Sequence, residues 1–268
     1  MKKCRSILFW LLGIYLIAAA YVCGLNYGEV TAHIPPVAER WDISYLYSKS
    51  ASELTGEDFD IIFRQTGLGR AAVEELPSLY MLEEYSNAYY APVEFECIRN
   101  SPVSSEEYVA EPQVKLAKVE KGDILLTSSS HVCSWRNGHA AIVIGDGTQT
   151  LEAVVIGSLS SVQSIEKWRH YPNILVLRLR GASAEERAAI ADAAADNLEG
   201  IRYNVFSGVF TKKYVPLNEI SGTQCAHLVW SAYAQFGYDI DSDGGLVVTP
   251  HDIMESDLLE VVQSYGRG

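Results

Sequence analysis

The most constraining feature of the sequence is a pair of short apolar runs, Ala140 to Ile144 and Thr150 to Val155, joined across Asp146 and Gly147. Each run has the length of a buried strand, and Asp-Gly between two such runs is a strong turn signal, so the pair is expected to form an antiparallel hairpin. With Asp146 and Gly147 at the loop centre, Ala141 falls opposite Glu152 and His139 opposite Val154. Side chains alternate across a strand, so His139 and Ala141 share a face. His139 and Glu152 are then diagonal neighbours, about 7–8 Å apart at the backbone, a gap that imidazole and carboxylate can close. A register slip of one residue would separate them.

A histidine oriented by a carboxylate is equipped to act as a base, and the stretch from Ser221 to Phe236 supplies a nucleophile. Ser221, Gly222 and Thr223 are turn and cap residues, while Leu228, Val229, Ala232, Tyr233 and Phe236 recur at helical spacing. The helix is therefore expected to begin within a residue of Cys225, where unpaired N–H groups and the positive dipole end favour a thiolate. Cysteine, histidine and acid together provide the logic of a thiol hydrolase. His227 lies two residues along the same helix, turned about 200° away from Cys225, and is read as a packing residue.

The ordered set of motifs at Gly122 to Leu126, Gly138 to Gly147, Leu151 to Ala153, Gly200 to Tyr203 and Cys225 to Trp230 resembles the circularly permuted papain-fold cysteine hydrolases. These are YiiX/YaeF-type relatives of the NlpC cell-wall peptidases. The resemblance spans about residues 115 to 260, and each motif alone is weak. It implies a nucleophile at a helix N-terminus packed on a small antiparallel sheet, with histidine and a polar third residue on neighbouring strands. Carried over position by position, Cys225 is the nucleophile, His139 the base and Glu152 the orienting residue, and Tyr203 matches a tyrosine that lines the site. The implied target is an amide bond of a peptide or peptidoglycan stem peptide, with lipid-like acyl substrates as the alternative.

The remaining elements give an α+β class, helices packed on an antiparallel sheet. Strands are expected at Asp123 to Thr127 and Ile174 to Leu179, with an edge strand at Leu258 to Val262. Ser183 caps a helix running to about Leu198, with Glu186 closing the box. Residues 26 to 114 read as a mainly helical extension and linker ahead of a catalytic domain over 115 to 268. In the extension, Thr55 and Asp58 form a capping box and a helical stretch from Arg70 to Tyr90 is broken at Pro77. Tyr80, Tyr85, Tyr89 and Tyr90 are read as packing residues. Asn100 to Glu111, rich in Ser, Pro and Glu, reads as the linker.

The first 25 residues set the expected compartment. Lys2, Lys3 and Arg5 precede an uncharged run from Ile7 to Leu25, the pattern of a signal anchor or signal peptide that leaves the rest of the chain outside the cytoplasm. The formal net charge of −13 argues against nucleic acid as a partner. The expected partners are a peptide, peptidoglycan or acyl-type substrate, and the membrane through the N-terminal segment. No cofactor is called for. His131, Cys133 and His139 lack the spacing of a zinc site, and Asp241, Asp243 and Asp252 lack that of a calcium loop. Cys97 and Cys133 are candidates either for a disulfide outside the cell or for two buried thiols, and the sequence does not choose between them. A catalytically silent envelope-binding module is the reading of another class.

Overall fold

The computed structural model describes residues 7–21, 39–112, 114–133 and 135–266. Lys2, Lys3, Arg5 and Cys23 lie outside the described residues. Residues 7–21 form a largely exposed helix, α1. No helix among the described residues is long and apolar enough to cross a membrane.

Six strands build one antiparallel sheet: β3 (Ile124–Thr127), β6 (His139–Ile144), β7 (Gln149–Glu152), β8 (Ser161–Ser164), β9 (Ile174–Leu179) and β12 (Leu259–Tyr265), in the order β12-β9-β3-β6-β7-β8. The β6–β7 hairpin has the register expected from its turn: Ile142 pairs with Leu151, Val143 with Thr150 and Ile144 with Gln149. Gly147 takes a positive φ of 91° inside this loop, a conformation glycine adopts without a Cβ clash. The second run ends as a strand at Glu152, short of Val155, where the Ser158 N–H closes a turn onto the Val155 carbonyl.

Strand alternation gives the sheet two apolar faces, and each is covered. Ile124, Leu126, Ala140, Ile142, Leu151 and Leu177 pack against helices α5 (Ala184–Leu198), α6 (Cys225–Ala234) and α7 (Pro250–Met254). The opposite rows, Leu125, Ala141, Val143, Val176 and Val262, pack with the N-terminal helices α2 (Gly56–Thr66), α3 (Arg70–Glu74) and α4 (Leu82–Tyr90). Helix α6 is apolar nearly all round because it is buried nearly all round. The capping boxes expected at Thr55/Asp58 and Ser183/Glu186 are both formed. The interruption expected at Pro77 separates α3 from α4. Among the four tyrosines, Tyr85 is buried and its hydroxyl donates to the Leu116 carbonyl, whereas Tyr80 is exposed.

The expected linker is instead part of a second sheet. β1 (Glu96–Ser101) and β2 (Ser104–Tyr108) form a hairpin, and β2 also pairs with β4 (Ser130–Val132), which pairs with β5 (Trp135–Arg136). Serines and glutamates suit a hydrated strand, but Glu107 is fully buried and bound to Arg136 and His131, so pairing and an internal charge cluster override the loop-like composition. Cys97 and Cys133 are free and exposed. Cys97 pairs across from Glu107, whereas the Cys133 N–H bonds Val103 at the hairpin turn, which sets the two thiols at different ends of the hairpin. A two-residue parallel pair, β10 (Arg202–Tyr203) with β11 (Gly222–Thr223), leads into α6.

The extension docks onto β12 by close backbone contact. A Cβ at Gly69 would lie 1.8 Å from the Val261 carbonyl oxygen, while one at Gly56 would meet nothing within 4 Å. Gly69→Ala is expected to cost roughly 1–3 kcal/mol in urea denaturation, as overpacking does. Gly56→Ala, at an open helical position, should hold the midpoint or raise it slightly. Equal midpoints for the two variants would refute this docking.

Candidate active site

Three chain segments meet at the end of the sheet where β6 begins. Gly138, in a left-handed conformation with φ of 71°, turns the chain into β6 close against β3, where a Cβ would lie 2.8 Å from the Thr127 carbonyl oxygen. His139 is therefore the first residue of β6 and is 2% exposed. Glu152 closes β7 and is fully buried. Their side chains bond through His139 Nε2 and Glu152 Oε2 at 2.8 Å, closing the diagonal gap that the hairpin register implies. The other ring nitrogen, Nδ1, is left for the sulfur.

Cys225 is the first residue of α6, as the helix signals require. The cap is Gln224, where Ser221 or Thr223 was expected. Its side-chain carbonyl accepts the Ala226 N–H at 2.8 Å and faces the Cys225 sulfur at 3.5 Å, while its amide donates to the Val248 carbonyl. Thr223 is drawn into β11 and its hydroxyl bonds the His227 ring at 3.0 Å. The helix stops at Ala234, leaving Phe236 beyond it and 43% exposed. His227 is held by Thr223 and by the Lys213 carbonyl at 3.0 Å, so it is a packing residue as read. Burial pushes its pKa down and outweighs those bonds.

The electrostatics of His139 run the other way. Burial disfavours its charged form, but a hydrogen bond with Cys225, another with Glu152 and the charges of both outweigh it and lift the pKa to about 9. Burial likewise opposes ionisation of Glu152, and His139, Lys167 and Thr150 overcome it, holding the carboxyl below the usual range. Tyr203, half-buried on β10, is pushed up by burial and by the Cys225 charge. Cys225, His139, Glu152 and Tyr203 thus come together.

Sequence reasoning missed the cage around Glu152. Trp168 Nε1 donates to Oε1 at 2.9 Å, Lys167 Nζ to Oε2 at 3.0 Å, and the Thr150 hydroxyl to Oε1. The Trp168 ring also stacks on His139, with centroids 5.6 Å apart and planes 13° from parallel. Tyr171 packs edge-on against Trp168 and donates to Glu106 at 2.9 Å. Thr150 was readable, since it shares the strand parity of Glu152. Lys167 and Trp168 sit on a 3-10 turn, Ile165–His170, that no periodicity announces.

The zinc alternative does not converge: His131 is spent on Glu107 at 3.1 Å, and Cys133 is exposed. Asp241, Asp243 and Asp252 do approach one another, each offering an oxygen within 4.8 Å of the others. They have internal partners: Asp241 binds Lys213, Asp243 accepts the Gly245 N–H, and Asp252 caps α7 with Thr249.

No family model matches the sequence, and the curated proteins give no match. Among solved structures, the chain is similar to the metalloprotein YiiX of Escherichia coli O157:H7, with 17% identity and a TM-score of 0.44. The similarity covers 55% of this chain and 99% of that one.

A buried ring whose pKa is raised from 6.5 to about 9 binds its proton more tightly in the folded state. Its contribution to stability is complete below pH about 6.5 and is lost as pH rises through about 9. Urea denaturation at a series of pH values should show parent stability falling over that window relative to His139→Gln. A difference between the two that stays flat from pH 6 to 9 would sink the charged-ring assignment.

Proposed function

We propose that this chain is an exported thiol hydrolase that cleaves an amide bond, with Cys225 as nucleophile, His139 as base and Glu152 as the group that orients and charges the ring. The observation that carries the reading is the bond between His139 and the buried Glu152 on one side of the ring, with the helix-start cysteine on the other. The chain order of the three residues is that of the permuted papain-like hydrolases the sequence resembles. The basic, apolar leader supports placing the catalytic part outside the cytoplasm, with the leader as an anchor or a cleaved signal.

In this reading the Cys225 proton rests on His139, whose imidazolium is stabilised by Glu152. The thiolate attacks the carbonyl carbon, and the carbonyl π pair moves to oxygen. The Cys225 backbone N–H, at the helix position where no intrahelical acceptor exists, is one donor to that oxyanion. As the oxygen pair re-forms the carbonyl, the C–N bond breaks and His139 gives its proton to the departing amine, leaving a thioester. His139 then takes a proton from water as it attacks the thioester carbon, and as the carbonyl re-forms the C–S bond breaks, releasing the acid and restoring the Cys225 thiolate beside protonated His139. Tyr203 lines the approach to the sulfur. Peptide and peptidoglycan stem peptides are the proposed substrates. Lipid-like acyl donors would use the same three residues and would reveal themselves by transfer to an amine or alcohol acceptor.

Cys225 is only 3% exposed, whereas Cys97 and Cys133 are exposed. An inert buried thiol would label slowest of the three, and an activated thiolate fastest. At neutral pH iodoacetamide should modify Cys225 first, and His139→Ala should slow that reaction without changing the rates at the other two. Labelling in order of exposure, with no effect of His139→Ala, would leave the binding-module reading in its place.

The role assigned to Glu152 separates two variants. Glu152→Gln can still accept from the ring but cannot stabilise its charge, so turnover of an amide substrate should fall by orders of magnitude. Trp168→Phe keeps the stack on His139 and removes one donor to Glu152, at a cost of about 1–3 kcal/mol in stability. Its effect on kcat should be smaller than that of Glu152→Gln. Full activity in Glu152→Gln would count against the assignment.

A further inference from the structure

The loop between β10 and β11 inverts the usual distribution of polarity. Val205, Phe206, Val209 and Phe210 are exposed, Phe210 by 81%, while the polar Ser207 between them is fully buried. Leu246, 67% exposed, extends the patch from a neighbouring loop. Monomeric proteins seldom leave a contiguous group of large apolar side chains in water without a use.

The outward display is built in. Ser207 Oγ donates to the carbonyls of Asn204 and Gly222 at 2.9 and 3.1 Å, pinning the loop to the strand that enters α6. Gly208 adopts a φ of 89° and packs so closely that a Cβ would lie 1.8 Å from the Leu246 carbonyl oxygen. Phe206 and Phe210 face each other at 5.3 Å between centroids. The backbone is thus fixed on the inside while two phenyl rings project outward.

Charge selects the occupant. The chain carries a net −13, yet from Gly200 to Asn218 there is no acidic residue, and Arg202, Lys212 and Lys213 are all basic. Arg202 and Lys212 are exposed, and Lys213 is tied to Asp241 and the Gly245 carbonyl. Exposed phenyl rings flanked by cations, on a protein otherwise repelled by anionic surfaces, match the interface of an anionic bilayer, where rings enter the acyl boundary and cations meet headgroups.

We propose that the 205–210 loop, with Leu246, is a membrane-docking surface that inserts Phe206 and Phe210 into an anionic bilayer. It holds the Cys225 end of α6 beside the lipid interface, because Asn204 and Tyr203 pair with Thr223, two residues before Cys225. Docking itself does not depend on the catalytic reading.

The test uses the full chain, so that any insertion of the leader is common to all samples. Phe210→Trp is compared with the parent in vesicles of phosphatidylcholine and phosphatidylglycerol, and the parent emission is subtracted. The added tryptophan should shift to shorter wavelength and be quenched by lipids brominated on the acyl chain. The response should weaken in phosphatidylcholine alone and when Lys212→Glu is added. Tyr80→Trp, at an exposed position on the N-terminal helices, should show neither shift nor quenching. Unchanged emission from position 210, or equal responses at 80 and 210, would overturn the proposal. A response at 210 that ignores lipid charge would overturn the anionic selection. Iodoacetamide labelling of Cys225 in the same samples keeps the two readings apart: insertion with a sluggish thiol sinks only the hydrolase, and a fast thiol without insertion sinks only the docking.

Discussion

A carboxylate with no solvent exposure is the constraint on which the site depends. Moving an isolated carboxylate out of water costs several kcal/mol, and Glu152 recovers it only because His139, Lys167, Trp168 and Thr150 all direct donors at its two oxygens. Those donors come from β6, from β7 itself and from the 3-10 turn after β8, so satisfying one charge locks three segments together. The same arrangement fixes the His139 ring: Glu152 takes Nε2, Trp168 covers the face, and Nδ1 is left toward the helix start. Orientation and rigidity of the His139 ring follow from one buried charge, and its raised pKa follows from Cys225 together with that charge.

The molecule offers two controls on this argument. His131 is also buried against a glutamate, but Arg136 is there to take both oxygens of Glu107. His227 is even closer to Cys225 in sequence, yet its nitrogens meet Thr223 and a carbonyl, and burial holds it neutral. Burial alone therefore does not raise a histidine's pKa. Among the described residues, His139 combines a carboxylate without a competing bidentate arginine and a bond to the Cys225 sulfur.

What the sequence made legible was local. The hairpin register followed from Asp146-Gly147 and alternation, and the start of α6 followed from helix signals around Cys225. Both rest on backbone preferences acting over a few residues. The cage around Glu152 was not legible, because Lys167 and Trp168 arrive through a short 3-10 turn placed by the β8 to β9 connection. The β1–β2 hairpin was hidden for a related reason: a strand whose inward residue is a charged Glu107 carries no apolar alternation, and its partner β4 lies outside the stretch read as a linker. The cap at α6 escaped because glutamine is not a usual N-cap, and Gln224 serves only by also anchoring to Val248.

The environment of the sulfur restricts how anything can reach it. Gln224, His139 and Tyr171 are each nearly or fully buried, and α6 lies behind the cysteine. Tyr203 differs from those three in remaining partly open to solvent. A substrate approaching past Tyr203 would follow the β10 ribbon, whose continuation is the exposed Val205 to Phe210 loop. On the proposed reading, a substrate passing that side meets the exposed phenyl rings and the cations Arg202 and Lys212, with Asp241 spent on Lys213, which suits a hydrophobic or membrane-attached substrate. Geometry then links the two proposals in one direction: the loop can dock without a working thiol, whereas the proposed hydrolase depends on the partly open Tyr203 side to reach an enclosed sulfur.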